Sequence, residues 1–345
     1  MWRPPPPLQI PFSNRTLLAC AAAGIVALCL VPWVLTPYHL IVFSYALVLA
    51  IASLGVNLLL GYTGLLSLGH AAYFGAGAYT GGFIYTFFTL TSVEAYLLAG
   101  VVAATALAAL TGFLCVQATK IYFTILTLAF AQIIHSLFIS GAVFELAGLE
   151  GRGLFILGGG GLIIPRFTIL GNALPPETFY TALYFLIAAA LVLCLGATWV
   201  IVNSPFGKAL QAIRDADARA ACIGIRIRTY RWAAFVLSAI IAGLAGGLFG
   251  QLDRQITPAQ LHWLFSAKLV LAAVLGGHRF FLGPVIGALV ITGLQEFALR
   301  YTGYHGFILG LLLITVVLAL PGGLVGSAVS AAVGLRRGAS ATRRT

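Results

Sequence analysis

The chain has 345 residues, of which 61% are hydrophobic and only 8% charged, far from the roughly 25% charged content of a soluble domain; it reads as a polytopic membrane protein. Its 19 Lys and Arg against 8 Asp and Glu gather in one loop and two tails that flank apolar segments, a pattern that membrane topology explains without a nucleic-acid partner. Cys20, Cys29, Cys115 and Cys194 fall inside apolar runs and Cys222 in the polar loop; with no metal-ligand spacing, they read as small buried residues and no metal site is expected.

Residues 1–16, with prolines at 4–7 and the basic Arg3 and Arg15, read as a cytoplasmic tail. The apolar run 17–35 is long for a signal peptide and lacks a small-x-small cleavage site, so it is expected to remain as a first membrane helix. Crossing a hydrocarbon core of about 30 Å takes roughly 20 apolar residues, which divides the apolar domain 17–324 into about ten spans. Their expected limits are 17–35, 39–60, 66–90, 95–117, 121–143, 179–202, 231–251, 262–279, 283–301 and 304–324. With the N-terminus inside, Lys120 and the loop 203–231 are cytoplasmic, whereas the loop 144–178, Asp253 and Arg254 are external. The C-terminal tail 325–345, with Arg336, Arg337, Arg343 and Arg344, returns to the cytoplasm. The count of basic residues then favours the inside, as the positive-inside rule requires. The external loop, with four glycines at 158–161 and Pro165, Pro175 and Pro176, is expected to have no firm secondary structure. The fold class is therefore all-α: a transmembrane helical bundle with Gly-broken helices in pseudo-repeated halves.

Two stretches are poor continuous helices. In 61–82 (GYTGLLSLGHAAYFGAGAYTGG), Gly61, Gly64, Gly69, Gly75 and Gly77 interrupt the apolar pattern around Ser67, His70 and Tyr73; in 274–287 (VLGGHRFFLGPVIG), Gly276, Gly277, Gly283 and Pro284 do so. Irregular backbone at membrane depth must face protein or a water-filled cavity, and a pair of such segments points to a transport path. Close helix packing through small residues is the competing reading, stronger for the second stretch.

No P-loop occurs and Gly75-x-Gly77 lacks a third glycine, so no nucleotide site is visible. Intramembrane ionisable residues are the remaining candidates. Lys268 either snorkels to the outer interface or lines a path. Glu296 and Arg300 form a helical i, i+4 pair. His70 either lines an aqueous path or bonds freed carbonyls. Thr124, Thr127 and His135, with Gln132 beside them, share a helix face that interhelical hydrogen bonding explains. With no carboxylate near a midplane, an ion-coupled carrier lacks its coupling residue.

The loop 203–231 has the grammar of a docked helix: Ser204 caps, Pro205 suits the first turn and Gly224 ends the run. Phe206, Leu210 and Ile213 recur on one face, and Asp215 and Arg219 pair on another. Its mixed charges favour a protein partner over lipid.

These residues carry a resemblance. GYTGLLSLGHAAYFGAGAYTGG, KIYFTILTLAFAQII (120–134), NSPFGKALQAIRDADARAACIGI (203–225) and VLGGHRFFLGPVIGA together resemble permease subunits of branched-chain amino acid ABC transporters of the LivM type, over about residues 40–320. The resemblance implies a non-enzymatic permease in a bacterial inner membrane, paired with a homologous second permease. It also implies two cytoplasmic ATPase subunits, a periplasmic substrate-binding protein, and ATP bound by those partners and not by this chain. Gly64, Ser67, Gly69, His70, Tyr73, His135 and Lys268 then become path candidates. Ser204, Pro205, Phe206, Gly207, Leu210, Ile213, Arg214, Ala220, Ala221 and Gly224 become coupling candidates. Members commonly carry an acid where this chain has Lys268, and a Gly-Gly-Ser/Ala-Asn-Gly-like run where it has 148–153, which leaves the solute open among branched-chain and other amino acids, urea, short amides and aromatic acids. A self-sufficient channel or ion-coupled carrier, with His70 and Lys268 on the path, is the alternative.

Overall fold

The computed structural model describes residues 14–88, 91–118, 120–141, 143, 145, 156–157, 161–169, 171–172, 175–301, 306–307, 310–311, 314–315, 318 and 322–327. Most of both tails, the 148–153 run and much of the expected tenth span at 304–324 lie outside the described residues.

Among those residues the order is α1 (Asn14–Val34), α2 (Pro37–Leu60), α3 (His70–Phe88), α4 (Val93–Cys115), α5 (Ile121–Ile139), β1 (Ile156–Leu157), β2 (Gly161–Ile163) and α6 (Pro176–Asn203). There follow α7 (Pro205–Asp215), α8 (Asp217–Cys222), α9 (Ile227–Asp253), β3 (Gln255–Ile256), a 3-10 turn (Pro258–Leu261), α10 (Trp263–Gly276) and α11 (Gly283–Tyr301). Five described helices are long and apolar enough to cross a membrane, at Pro37–Leu60, Val93–Cys115, Ile121–Ile139, Thr178–Asn203 and Ile227–Asp253, each on an expected span. α10, with 14 residues, is shorter than the expected 262–279.

The chain is a helical membrane bundle built around α2 and α9. α2 is buried continuously from Ala46 to Leu59, as an inner helix with apolar residues on every side should be. The outer helices have apolar exteriors: Leu98, Val102, Leu110 and Phe113 of α4 are 64–69% exposed, the surface a lipid phase would cover.

The glycine-rich stretch 61–82 divides into two parts. Only 61–69 leaves helical geometry; α3 runs unbroken from His70, and its later glycines are packing residues. At Gly77 an added Cβ would overlap the carbonyl of Gly243 in α9, so these backbones approach as only glycine permits. The second stretch likewise breaks over 277–282 between α10 and α11, while Gly276 and Gly283 press backbone to backbone.

The expectation that 144–178 has no firm secondary structure is corrected. β1, β2 and β3 form a three-stranded antiparallel sheet with Ile156 opposite Leu162 and Leu162 opposite Ile256. The pairing of β2 with β3 is non-local, across α6 to α9, and Leu162 and Ile256 are buried there. Gln251 accepts from the Phe167 N–H (3.3 Å) and the Arg254 carbonyl from the Ile164 N–H (2.8 Å), tying the segment down.

Candidate functional site

The break at 61–69 exposes peptide groups inside the bundle, and a buried peptide group without a partner is costly. Side chains from three other elements take them up. Thr124 of α5 donates to the Leu66 carbonyl at 2.7 Å, and Thr127 accepts from the Leu68 N–H at 3.3 Å. Ser266 of α10 accepts from the Ala71 N–H at 2.7 Å, satisfying a free N–H of the first turn of α3. Arg214, at the end of α7, donates Nη1 to the Gly61 carbonyl at 2.6 Å.

Ser67, Gly69, His70 and Tyr73 come together in one buried polar cluster. His70 is fully buried; its Nδ1 lies 3.0 Å from Ser67 Oγ and its Nε2 bonds Ser238 Oγ of α9. Tyr73 and Phe235 set their rings edge-on to it, and the Tyr73 hydroxyl bonds Thr111 Oγ1 at 2.8 Å. Gly69 packs on Thr127, where an added Cβ would lie 2.9 Å from the Thr127 carbonyl oxygen. This geometry is that of a hydrogen-bonded joint between α3, α4, α5 and α9. Gly64 sits at its rim with φ +71, in the left-handed region, under the Arg214 stem.

His135 and Lys268 lie elsewhere. His135 is 8% exposed, stacks edge-on against His262 at 4.7 Å and lines a cavity of about 560 Å³ with Thr257 and Pro258. Lys268 donates to Gln295 Oε1 of α11 at 2.7 Å and lines a second cavity of about 490 Å³. It is held by a neighbouring helix and so is not snorkelling freely. Glu296 and Arg300 do pair, at 3.1 Å, with Tyr38 donating to the same Glu296 oxygen at 2.6 Å.

The loop after α6 folds as its caps require. Ser204 Oγ accepts from the Gly207 N–H at 3.3 Å and Pro205 occupies the first turn of α7. Gly224, at φ +86, closes α8: its N–H bonds the Ala221 carbonyl (3.0 Å) and the Ile225 N–H bonds the Ala220 carbonyl (3.2 Å), the double closure of a Schellman end. Two expectations change. The run is two helices, because Ala216 is extended (φ −162, ψ 99), so Asp215 does not reach Arg219. Asp215 instead pairs with Arg214 at 3.0 Å, and Asp217 with the buried Arg231 of α9 at 2.7 Å. The apolar face also turns inward: Leu210, Ile213 and Ala220 are at most 1% exposed, and Phe206 stacks on Tyr230 at 5.4 Å. An amphipathic helix tethered to an apolar bundle buries its stripe there first, which leaves Lys208, Arg219, Ala221, Cys222 and Ile223 outermost.

Gly61 is the point where the loop meets both breaks. Arg214 holds its carbonyl, and a Cβ on Gly61 would sit 2.5 Å from the His278 carbonyl oxygen in the 277–282 break. Sequence pattern missed the partners of this joint, Ser238 and Ser266, and Gln295 beside Lys268. Ser238 and Ser266 are polar residues in apolar helices, and that is the one signal that marks them.

A family model described as the permease component of the branched-chain amino acid transport system matches residues 38–317, which contain both breaks, the loop and both cavities. The high-affinity branched-chain amino acid transport system permease protein LivM of Salmonella typhimurium is 27% identical over 297 residues, covering 82% of this chain and 68% of its own. LivM of Escherichia coli K12 gives the same identity and coverage. The probable branched-chain amino acid transport permease protein LivH of Methanocaldococcus jannaschii is 30% identical over 146 residues, 39% of this chain and 45% of its own. No solved structure matches.

Proposed function

The chain belongs to the permease-component family of branched-chain amino acid transport systems, and from that premise we propose that it is one membrane subunit of an ATP-driven importer. In this reading it sits in a bacterial cytoplasmic membrane with both termini in the cytoplasm and forms the path with a homologous second permease. Two cytoplasmic ATPase subunits hydrolyse the ATP, a periplasmic binding protein delivers the solute, and this chain holds no nucleotide. The solute is a branched-chain amino acid, as the relatives' names say of them, or another small amino acid or amide.

The observation that carries the reading is the loop. α7 and α8 are fixed to the bundle at two points, Arg214 on Gly61 and Asp217 on Arg231. A push on their outer face therefore reaches the 61–69 break and, through His278, the 277–282 break. The apolar stripe is already used inside, so an ATPase groove would meet the polar outer face, with Lys208, Arg219, Ala221 and Ile223. This surface complements an acidic, partly apolar groove.

Site-specific cross-linking tests this. With Cys222 replaced by Ser, Lys208→Cys and Ala221→Cys should each give a maleimide-bridged adduct to a subunit with ATPase activity in native membranes. Absence of such an adduct from both positions, with the protein normally inserted, rejects the coupling role.

A further inference from the structure

The cavity between α2, α3, α9, the 3-10 turn, α10 and α11 contains a cation without a counter-ion. Lys268, in the second turn of α10, meets only the neutral amide oxygen of Gln295, at 2.7 Å, and no ion pair to it is recorded among the described residues. The carboxylates nearby are already engaged. Glu296, in the same wall, is held by Arg300 and the Tyr38 hydroxyl, and Asp253 accepts from Tyr45 at 2.5 Å. The apolar part of the lining includes Phe74, Phe249 and Phe265, with Phe74 packed on the other two at 5.3 and 4.7 Å between ring centres. The volume, about 490 Å³, is that of a small-molecule site. A half-enclosed ammonium needs a partner, and nothing in the wall supplies a free anion.

We propose that this cavity is a solute site that holds a carboxylate on Lys268 and Gln295 with an apolar tail against the three phenylalanines, and that it has no requirement for an ammonium group. The class is a small organic monoanion with a branched or aromatic tail; amino acids fit through their carboxylate, and amides do not. The inference rests on the permease reading only for its meaning in transport, since binding is measured on the chain without ATP or partners.

The test uses the full chain in phosphatidylcholine nanodiscs and a matched set: leucine, 4-methylpentanoate, 4-methylpentanamide, 3-phenylpropionate and 3-phenylpropionamide. 4-Methylpentanoate and 3-phenylpropionate should each raise the unfolding midpoint with an apparent Kd roughly tenfold or more below that of the matching amide, the usual weight of a charged hydrogen bond. 4-Methylpentanoate should bind at least as tightly as leucine. Lys268→Met should abolish the difference and Lys268→Arg should retain it. On the wild-type chain, saturating 4-methylpentanoate should slow acetylation of Lys268, with Lys208 in the loop as the unprotected reference, and this readout stands even where a variant does not fold. The proposal is overturned if no acid shifts the midpoint or protects Lys268, if the Lys268→Met variant keeps the preference, or if leucine binds and 4-methylpentanoate does not. It is also overturned if phosphatidylglycerol alone gives the Lys268-dependent shift, which would make the cavity a lipid site. Loss of ATP-dependent uptake in the assembled importer, by contrast, bears on the permease reading and not on this one.

Discussion

Replacing Arg214 by Met removes the 2.6 Å contact from Nη1 to the Gly61 carbonyl together with the 3.0 Å pairing to Asp215, and keeps the stem that packs against Gly64. Hydrogen bonds to charged groups contribute about 1.5–3 kcal/mol. The Arg214 side chain is 35% exposed, so water screens part of that, and its exposed pairing with Asp215 adds roughly 0–1 kcal/mol. The lower range, about 1–2 kcal/mol, is appropriate and corresponds to roughly a 5- to 30-fold change in the docked population of α7. Two assays follow from that number. Amide hydrogen exchange over 205–222 should speed by about that factor in the purified chain. In the reconstituted importer, solute moved per ATP hydrolysed should fall 5- to 30-fold on the same arithmetic while basal hydrolysis stays within about twofold. Arg214→Lys, a single rotatable donor in place of a planar fork, should fall between. Unchanged exchange together with an unchanged uptake-to-ATP ratio would refute the idea that this contact joins the loop to the break.

Gly77→Ala places a methyl against the Gly243 carbonyl and should cost about 1–3 kcal/mol by overpacking, read as a lower unfolding midpoint. Asp217→Asn leaves the buried Arg231, 5% exposed, without its anion; because the Asp217 side chain is 36% exposed, the expected loss is about 1–3 kcal/mol and not the full cost of a buried pair. Gly224→Val, at φ +86, should cost about 1–2 kcal/mol of backbone strain and fray α8, measured as faster proteolysis between 217 and 226.

The sequence speaks clearly where structure is local. Ser204, Pro205 and Gly224 mark the ends of the loop helices because caps act within a few residues, and the apolar runs at 39–60 and 231–251 mark α2 and α9. It is silent about direction. A stripe of Phe206, Leu210 and Ile213 shows that a face is buried, but not whether the cover is the chain's own bundle or another protein. Glycine is ambiguous for the same reason: Gly61–Gly64–Gly69 and Gly75–Gly77 look alike in sequence, yet the first set leaves the helix and the second lets helices touch. Non-local partners stay hidden as well. Nothing near Lys268 announces Gln295, 27 positions away, and nothing in 156–163 announces its pairing with Gln255–Ile256.

The central claim is that movement enters this chain from an ATPase through α7 and α8. Its most direct test is solute flux into proteoliposomes containing this chain with its second permease, with and without the ATPase subunits, at fixed binding protein and ATP. Uptake is expected only when the ATPases and ATP are both present, and none from the membrane subunits alone. Flux through this chain alone, driven by concentration or an ion gradient, would contradict it.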